Sequence, residues 1–288
     1  MPSAAITSKL KALVPPHIAA FLGNCGGANR RRARFAGNLL RHDLTEAEFL
    51  AIYHSLIFPN GVRKTTAPER NSMVMRRVLE AGYVGRKKIR VLEVGASAGL
   101  DALATWKLLR GAGCDVERYD LGDLFTEVRY DRRRGLVFDE DGRLLQVDLG
   151  SRFVAIYFSY NHPLQRITNL PKRLRPWALK RRLKYDPSAP VVRIPLVHPD
   201  LGVARGDTPF RLKRMNVFDP IDERYDLVVC MHLLVERYFD QATIDRAVDN
   251  LARSLSPGGT LVVGAAERFD VITRRGDGGR EVRHSSEL

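Results

Sequence analysis

Apolar positions along this chain follow two rhythms that alternate. Short continuous apolar runs stand at "IRVLEV" (89–94), "YDLVVCM" (225–231) and "TLVVGAAE" (260–267), the form of strands buried on both faces of a sheet. "DVERYDL" and "FRLKRMNVF" carry weaker strand signals. Between these runs the apolar period changes to that of a helix. "LDALATWKLLRGAG" sets Leu100, Leu103, Trp106 or Lys107, and Leu108 on one side and ends in glycines. "DQATIDRAVDNLARSLSPGG" sets Ile244, Val248, Leu251 and Leu255 on one stripe before a Pro-Gly-Gly stop. The alternation predicts an α/β chain with a mainly parallel, Rossmann-like sheet and helices on both faces.

The rhythm breaks in three places. Ahead of the first strand, "DLTEAEFLAIYHSLI" predicts a helix capped by Thr45 after Leu44, with Phe49, Ile52, Tyr53 and Leu56 at helical spacing. "PERNSMVMRRVLEAGY" predicts a second helix, starting near Pro68, with Met73, Val74, Val78 and Leu79 on one side and Gly82 at its end. Residues 1–84 are therefore expected to form a helical extension, and 85–130 with 206–288 the core. Roughly 90 residues separate the second strand from the third, far more than a crossover needs. Residues 131–205 are read as an insertion capping the active face. Within it "GLVFDEDGRLLQVDL" predicts a hairpin turning at Asp141-Gly142, "RFVAIYFSY" a strand or buried segment, and 172–184 a basic amphipathic helix interrupted by Pro176. A short hairpin is expected around Asp277-Gly278-Gly279 at the C-terminal end.

Composition narrows the class. With 44% hydrophobic and 28% charged residues in 288, the chain is that of a globular protein. Three cysteines without a CxxC pair offer neither a disulfide framework nor a zinc site of the usual spacing, so no metal is expected and a cytoplasmic location is. No apolar run is long enough to span a bilayer. The first 42 residues hold seven Lys/Arg and no acid; two prolines in "LVPPHIAAF" favour a basic arm over a cleaved signal. The net charge of +14 is concentrated, since residues 131–214 hold 18 Lys/Arg against 8 Asp/Glu. In the 172–184 block seven of thirteen residues are basic and none is acidic. That block reads either as an attachment surface for something anionic, including peripheral contact with a membrane, or as a solvated charged face.

The candidate chemistry lies where "RVLEV" breaks through "GASAG" into a helix. Such a turn aims backbone N–H groups and a helix N-terminus at the carboxyl edge of the sheet, where open α/β folds bind ligands. A phosphate-binding loop would need Gly-Lys-Ser/Thr, which is missing. A dinucleotide fingerprint would need glycine at 97 and 100, which are Ser97 and Leu100. What remains is acid-x-Gly-x-x-x-Gly: Glu93, Gly95, Gly99.

This stretch resembles the first motif of class I S-adenosylmethionine-dependent methyltransferases, with Ser97 where a third glycine is frequent. The block from Phe210 to about Glu267 is similar to the later strands of that family, and its wording is closest to the chemotaxis-receptor methyltransferases. "CMHLLVERYFD" is longer than their turn, so only the cofactor fold is carried over. The resemblance covers Lys88–Asp123 and that block. It implies S-adenosyl-L-methionine as cofactor, held by Glu93, Gly95, Ala96, Ser97 and Gly99, with Asp120, or Asp123 if the register differs, on the ribose. Asn216 and Val217 would border the adenine; Cys230 and Met231 would lie beside the cofactor.

The implied activity is methyl transfer to a small-molecule or lipid-linked acceptor. RNA or protein acceptors, or a non-catalytic cofactor-binding scaffold, are the alternatives. A nucleic-acid partner fits less well, because the basic block has a single tryptophan as a stacking platform. For a hydroxyl acceptor His232 is the first candidate base, ahead of Tyr238 and His162. Replacing Asp120 by alanine is expected to weaken cofactor binding and spare the fold.

Overall fold

In the computed structural model the described residues are 35–41, 43–58, 64–65, 67–83, 88–148, 154–156, 185–203, 206–265 and 268–284. Residues 1–34 of the basic arm, the 172–184 block, His162 and Glu267 lie outside them.

Each of the three apolar runs and two weaker strand signals contributes a strand to one sheet: β1 (Ile89–Val94), β2 (Val116–Asp123), β8 (Phe210–Arg214), β9 (Tyr225–Met231) and β10 (Leu255–Ala265). Their order is β8-β2-β1-β9-β10, all parallel. This is the 3-2-1-4-5 order of a doubly wound fold, in which the winding direction reverses between β1 and β9. The expected C-terminal hairpin is present as β11 (Arg268–Arg274) and β12 (Arg280–His284), which extend the sheet antiparallel beyond β10.

The sheet is apolar on both faces, and helices cover both. Val91, Tyr119, Leu121, Leu227 and Val229 pack with α2 (Ser72–Val78) and α3 (Leu100–Gly111). Leu92, Val94, Val228, Leu261 and Val263 pack with α4 (Gln241–Arg253). In α3 the buried stripe is Leu100, Ala102, Thr105 and Leu109; Leu103, Trp106 and Leu108 flank it half-buried. α4 starts on an Asp240 cap, whose carboxylate accepts from Thr243 N at 2.7 Å. It ends at Arg253, before the Pro-Gly-Gly sequence. Those residues instead lie in an irregular first part of β10, where the pairing with β9 jumps between Leu255 and Thr260.

The insertion builds a second sheet, ordered β6-β5-β4-β3-β7 and antiparallel throughout. Its strands are β3 (Glu127–Asp131), β4 (Leu136–Phe138), β5 (Leu144–Asp148), β6 (Val154–Ile156) and β7 (Val192–Pro195). The β4–β5 hairpin turns at Asp139–Arg143, where the Asp139 carboxylate accepts from the N–H groups of Asp141 and Arg143, as Asp141-Gly142 predicted. The sheet already begins at β3, within the segment read as core. Helix α1 (Glu46–Tyr53), closed by a Thr45/Glu48 capping box, supplies Phe49 and Tyr53 to the same core as Val128, Val137, Leu145, Ile194 and Leu196. The N-terminal extension and the insertion thus share one hydrophobic core.

Between β2, β8 and β9 lies a buried polar cluster. Asp120 is fully buried. Its carboxylate accepts from Arg118 Nε at 2.7 Å, pairs with Arg118 Nη2 at 2.6 Å, and accepts from Tyr225 OH at 2.7 Å. Arg118 also pairs with Glu223, which pairs with Lys213. Asp120→Ala removes the buried acceptor of Tyr225 OH and one of the two carboxylates on Arg118, and is expected to lower unfolding free energy by about 1–3 kcal/mol. Urea denaturation measures this; an unchanged midpoint would remove the cluster from the stability of the sheet.

Candidate functional site

The turn from β1 into α3 is tight because its backbone takes left-handed values at Gly95 (φ 73°), Ser97 (φ 56°) and Gly99 (φ 77°). It is fixed from below by Gly122 of β2, whose carbonyl accepts from the N–H groups of Gly95 (2.8 Å) and Ala96 (3.2 Å). A Cβ on Gly99 would stand 2.5 Å from Leu201 Cδ1, and one on Gly95 3.3 Å from Leu233 Cδ2. Both glycines therefore serve close packing as well as backbone conformation. The turn lies at the carboxyl end of β1, beside the reversal of strand order where this fold class forms its ligand crevice.

Three acids approach it. Glu93 is buried just before the turn and accepts from Tyr119 OH at 2.7 Å. Burial pushes its carboxyl up to about 8, opposed by the Tyr119 bond and helped by the charge of Asp101. Asp123 ends β2, with its side chain 16% exposed. It accepts from Ser97 N (3.0 Å) and Phe125 N (3.2 Å) and pairs with Lys64 at 2.9 Å. Asp101, in the first turn of α3, accepts from Asn71 N at 3.2 Å. Burial raises its pKa.

The two acids that the sequence offers for the ribose, Asp120 and then Asp123, lie in different surroundings. Asp120 stands three residues before the strand end, on the α4 face, with both oxygens committed to Arg118 and Tyr225. The acid beside the turn is Asp123. Asn216 caps the turn after β8, bonding Asp219 and Phe218 N. The Val217 side chain is buried and its carbonyl accepts from Asn250 Nδ2 at 2.9 Å. Cys230 is fully buried in the α4-side core, where burial pushes its thiol up to about 12. Met231 is buried on the opposite face.

His232 follows β9 in the left-handed region (φ 62°), its N–H donating to Gly264 O at 2.7 Å. Its Nε2 lies 3.0 Å from Asn71 Oδ1. An amide oxygen only accepts, so Nε2 carries the proton and Nδ1 keeps its lone pair. Burial, then the Arg70 charge, lowers its pKa, keeping the ring neutral at pH 7. Tyr238 lies farther along the same loop, 62% exposed, with Arg237 over its ring.

The sequence assigns a cap over this face to the insertion, but not the individual residues that touch the turn. Ser97 Oγ donates to Tyr53 OH of α1 at 3.3 Å. The 5%-exposed Lys64 reaches Asp123 and the Phe125 carbonyl, and His198 N of the insertion donates to Ala98 O at 2.9 Å. Lysine is rarely buried unless paired, but the polar stretch around it gave no periodic signal. Among the described residues no group of three or more His, Cys, Asp or Glu could hold a metal ion, and no helix is long and apolar enough to cross a membrane.

No protein-family model matches the chain, and no characterised protein matches it by sequence. Solved structures do match. The N-methyltransferase NodS of Bradyrhizobium japonicum WM9 is 17% identical over 68% of this chain, with a TM-score of 0.30. The human N-acetylserotonin methyltransferase, in complex with S-adenosylmethionine, is 13% identical over 76%, at 0.31. The glycopeptide N-methyltransferase MtfA, complexed with S-adenosylhomocysteine, is 15% identical over 77%, at 0.33. The chain spans 65%, 38% and 65% of their lengths, less than two thirds in each case. At such scores the fold rests on the strand order of this chain itself.

The raised pKa of Glu93 fixes a pH dependence. The folded chain keeps that proton to about 8 and the unfolded chain releases it near 4.5, so between these values raising the pH favours unfolding. The loss is ~1.4 kcal/mol per pH unit. Glu93→Gln is expected to remove it, so that the variant gains on the parent toward pH 8 in urea denaturation. Parallel curves would show Glu93 ionised in the fold.

Proposed function

We propose that this chain binds S-adenosyl-L-methionine at the Gly95–Gly99 turn and is a methyltransferase of the class I type. The observation that carries this reading is the left-handed turn at the order reversal, flanked by the buried, uncharged Glu93 and by Asp123 at the end of the next strand. The donor set suits a ligand with a cationic amino-acid end and a vicinal diol but no phosphate. Glu93 ionises opposite a cation, and Asp123 accepts hydroxyl protons. Ser97 N, Phe125 N and Lys64 already occupy most of the Asp123 acceptor positions, so a diol bonded through both oxygens displaces Lys64.

The cofactor supplies, when bound, a methyl group already activated on a sulfonium. The chain's part is to orient an acceptor and exclude water. The neutral His232 takes the proton of a hydroxyl acceptor at Nδ1; an amine acceptor needs no base. The acceptor proposed is a small or lipid-linked molecule, gathered by the basic block 172–184. A cofactor-binding scaffold is the second reading, favoured by the Lys64–Asp123 and Tyr53–Ser97 contacts that close the turn.

Calorimetric titration with S-adenosylmethionine is expected to give saturable binding that releases a proton near pH 7, seen as an enthalpy varying with the ionisation heat of the buffer. Glu93→Gln abolishes the release, and Asp123→Asn weakens binding tenfold or more. A parent chain that binds no cofactor refutes the proposal. Binding without labelled methyl transfer to any cell-extract acceptor would support the scaffold.

A further inference from the structure

Four arginines meet at the end of the sheet remote from the glycine turn. Arg224 precedes β9, Arg253 ends α4, Arg274 ends β11 and Arg280 opens β12. With Ala252 and Gly278 they line a cavity of about 260 Å³. β9 runs from this cavity toward the glycine turn, a separation of roughly 20 Å for a strand of its length.

Two of the arginines have structural work. Arg274 Nη1 donates to the Leu255 carbonyl at 2.7 Å, and Arg280 pairs with Asp249. Arg224 and Arg253 are exposed and form no ion pair among the described residues. Of the neighbouring acids, two pair with other basic side chains and two bond main-chain N–H groups. Asp226 accepts from Arg90 N at 2.8 Å, Glu223 pairs with Arg118 and Lys213, Glu281 pairs with Arg275 and Arg283, and Asp277 accepts from Gly279 N. Four guanidiniums thus face one small space, and Asp249 is the one acid among the described residues that forms an ion pair with any of them.

We infer that this cavity is a binding site for a phosphate-bearing anion, of pyrophosphate size. Guanidinium forks match phosphoryl oxygens two at a time, and several around one cavity compensate a multiply charged group. The volume is below the roughly 300–1,000 Å³ of pockets that enclose whole drug-sized ligands. The lining has no aromatic side chain on which a base could stack. The site therefore recognises the phosphate group and leaves the rest of its carrier in solvent. It stands apart from the methyl-transfer reading.

The test is calorimetric titration of the full chain with pyrophosphate, with sulfate as the control for simple charge. The double variant Arg224→Gln/Arg253→Gln changes two exposed residues, and circular dichroism checks its fold. The expected result is one saturable site on the parent, binding pyrophosphate at least tenfold more tightly than sulfate, and weakened at least tenfold in the double variant. Arg246→Gln, on the exposed part of α4, should leave it unchanged. Phosphatidylcholine vesicles doped with phosphatidic acid form a second arm; binding there that is lost in the double variant identifies a lipid headgroup as the carrier. Absence of saturable binding in both arms, or equal binding by parent and double variant, overturns the inference; equal binding would assign it to other basic residues.

Discussion

Three left-handed residues in a stretch of five, at Gly95, Ser97 and Gly99, form the constraint around which the two parts of the chain are assembled. Glycine takes this conformation freely, whereas an L-residue such as Ser97 bears about 1–2 kcal/mol. Two bonds offset that cost: Ser97 N to Asp123, and its hydroxyl to Tyr53. One partner belongs to the strand next to β1 and the other to the N-terminal extension. The same five residues hold the insertion, through the Ala98 carbonyl and the packing of Leu201 on Gly99. Extension, insertion and core therefore converge on one main-chain bend, and the second hydrophobic core forms where they meet.

Much of the core sheet was legible because its strands are buried on both faces. "IRVLEV" and "YDLVVCM" became strands with their quoted limits, and the hairpin turns at Asp141-Gly142 and Asp277-Gly278 were written in the residues that adopt them. Two kinds of information were not local. The depth of Asp120 depends on register, and a shift of three positions separates a strand-end acid from one sealed under Tyr225. The cover on the glycine turn depends on contacts distant in sequence, Lys64 with Asp123 and His198 with Ala98. No pattern within either segment encodes its partner.

The two edges of the parallel sheet have opposite electrostatic character. At the carboxyl edge the charges are matched: Lys64 faces Asp123, the raised pKa of Glu93 keeps it neutral, and the lowered pKa of His232 keeps it neutral as well. A site with so little net charge suits a ligand that brings its own cation. At the amino edge four arginines line one cavity, and one of them is paired with an acid, Asp249. In a chain of net charge +14 such a surplus is unsurprising in total, but its concentration around one cavity is a local property of how α4, β9 and the β11–β12 hairpin pack.

Lys64 links the site to the rest of the chain. Its ammonium is desolvated, which lowers its pKa, while Asp123 pulls in the other direction; the pair persists because separating either charge would leave the other buried. A diol cannot simply replace the ammonium, since it leaves the carboxylate charge uncompensated in a low-dielectric place. Ser97 N and Phe125 N supply the compensation, as two fixed donors that remain on Asp123 when Lys64 withdraws. On the proposed reading, entry of a ribose and release of Lys64 would be one exchange, and it would take the Lys64 ammonium off the Phe58 ring, which stacks on Phe125. The proposed affinity at the turn would then depend partly on the N-terminal extension, outside the motif that first pointed to it.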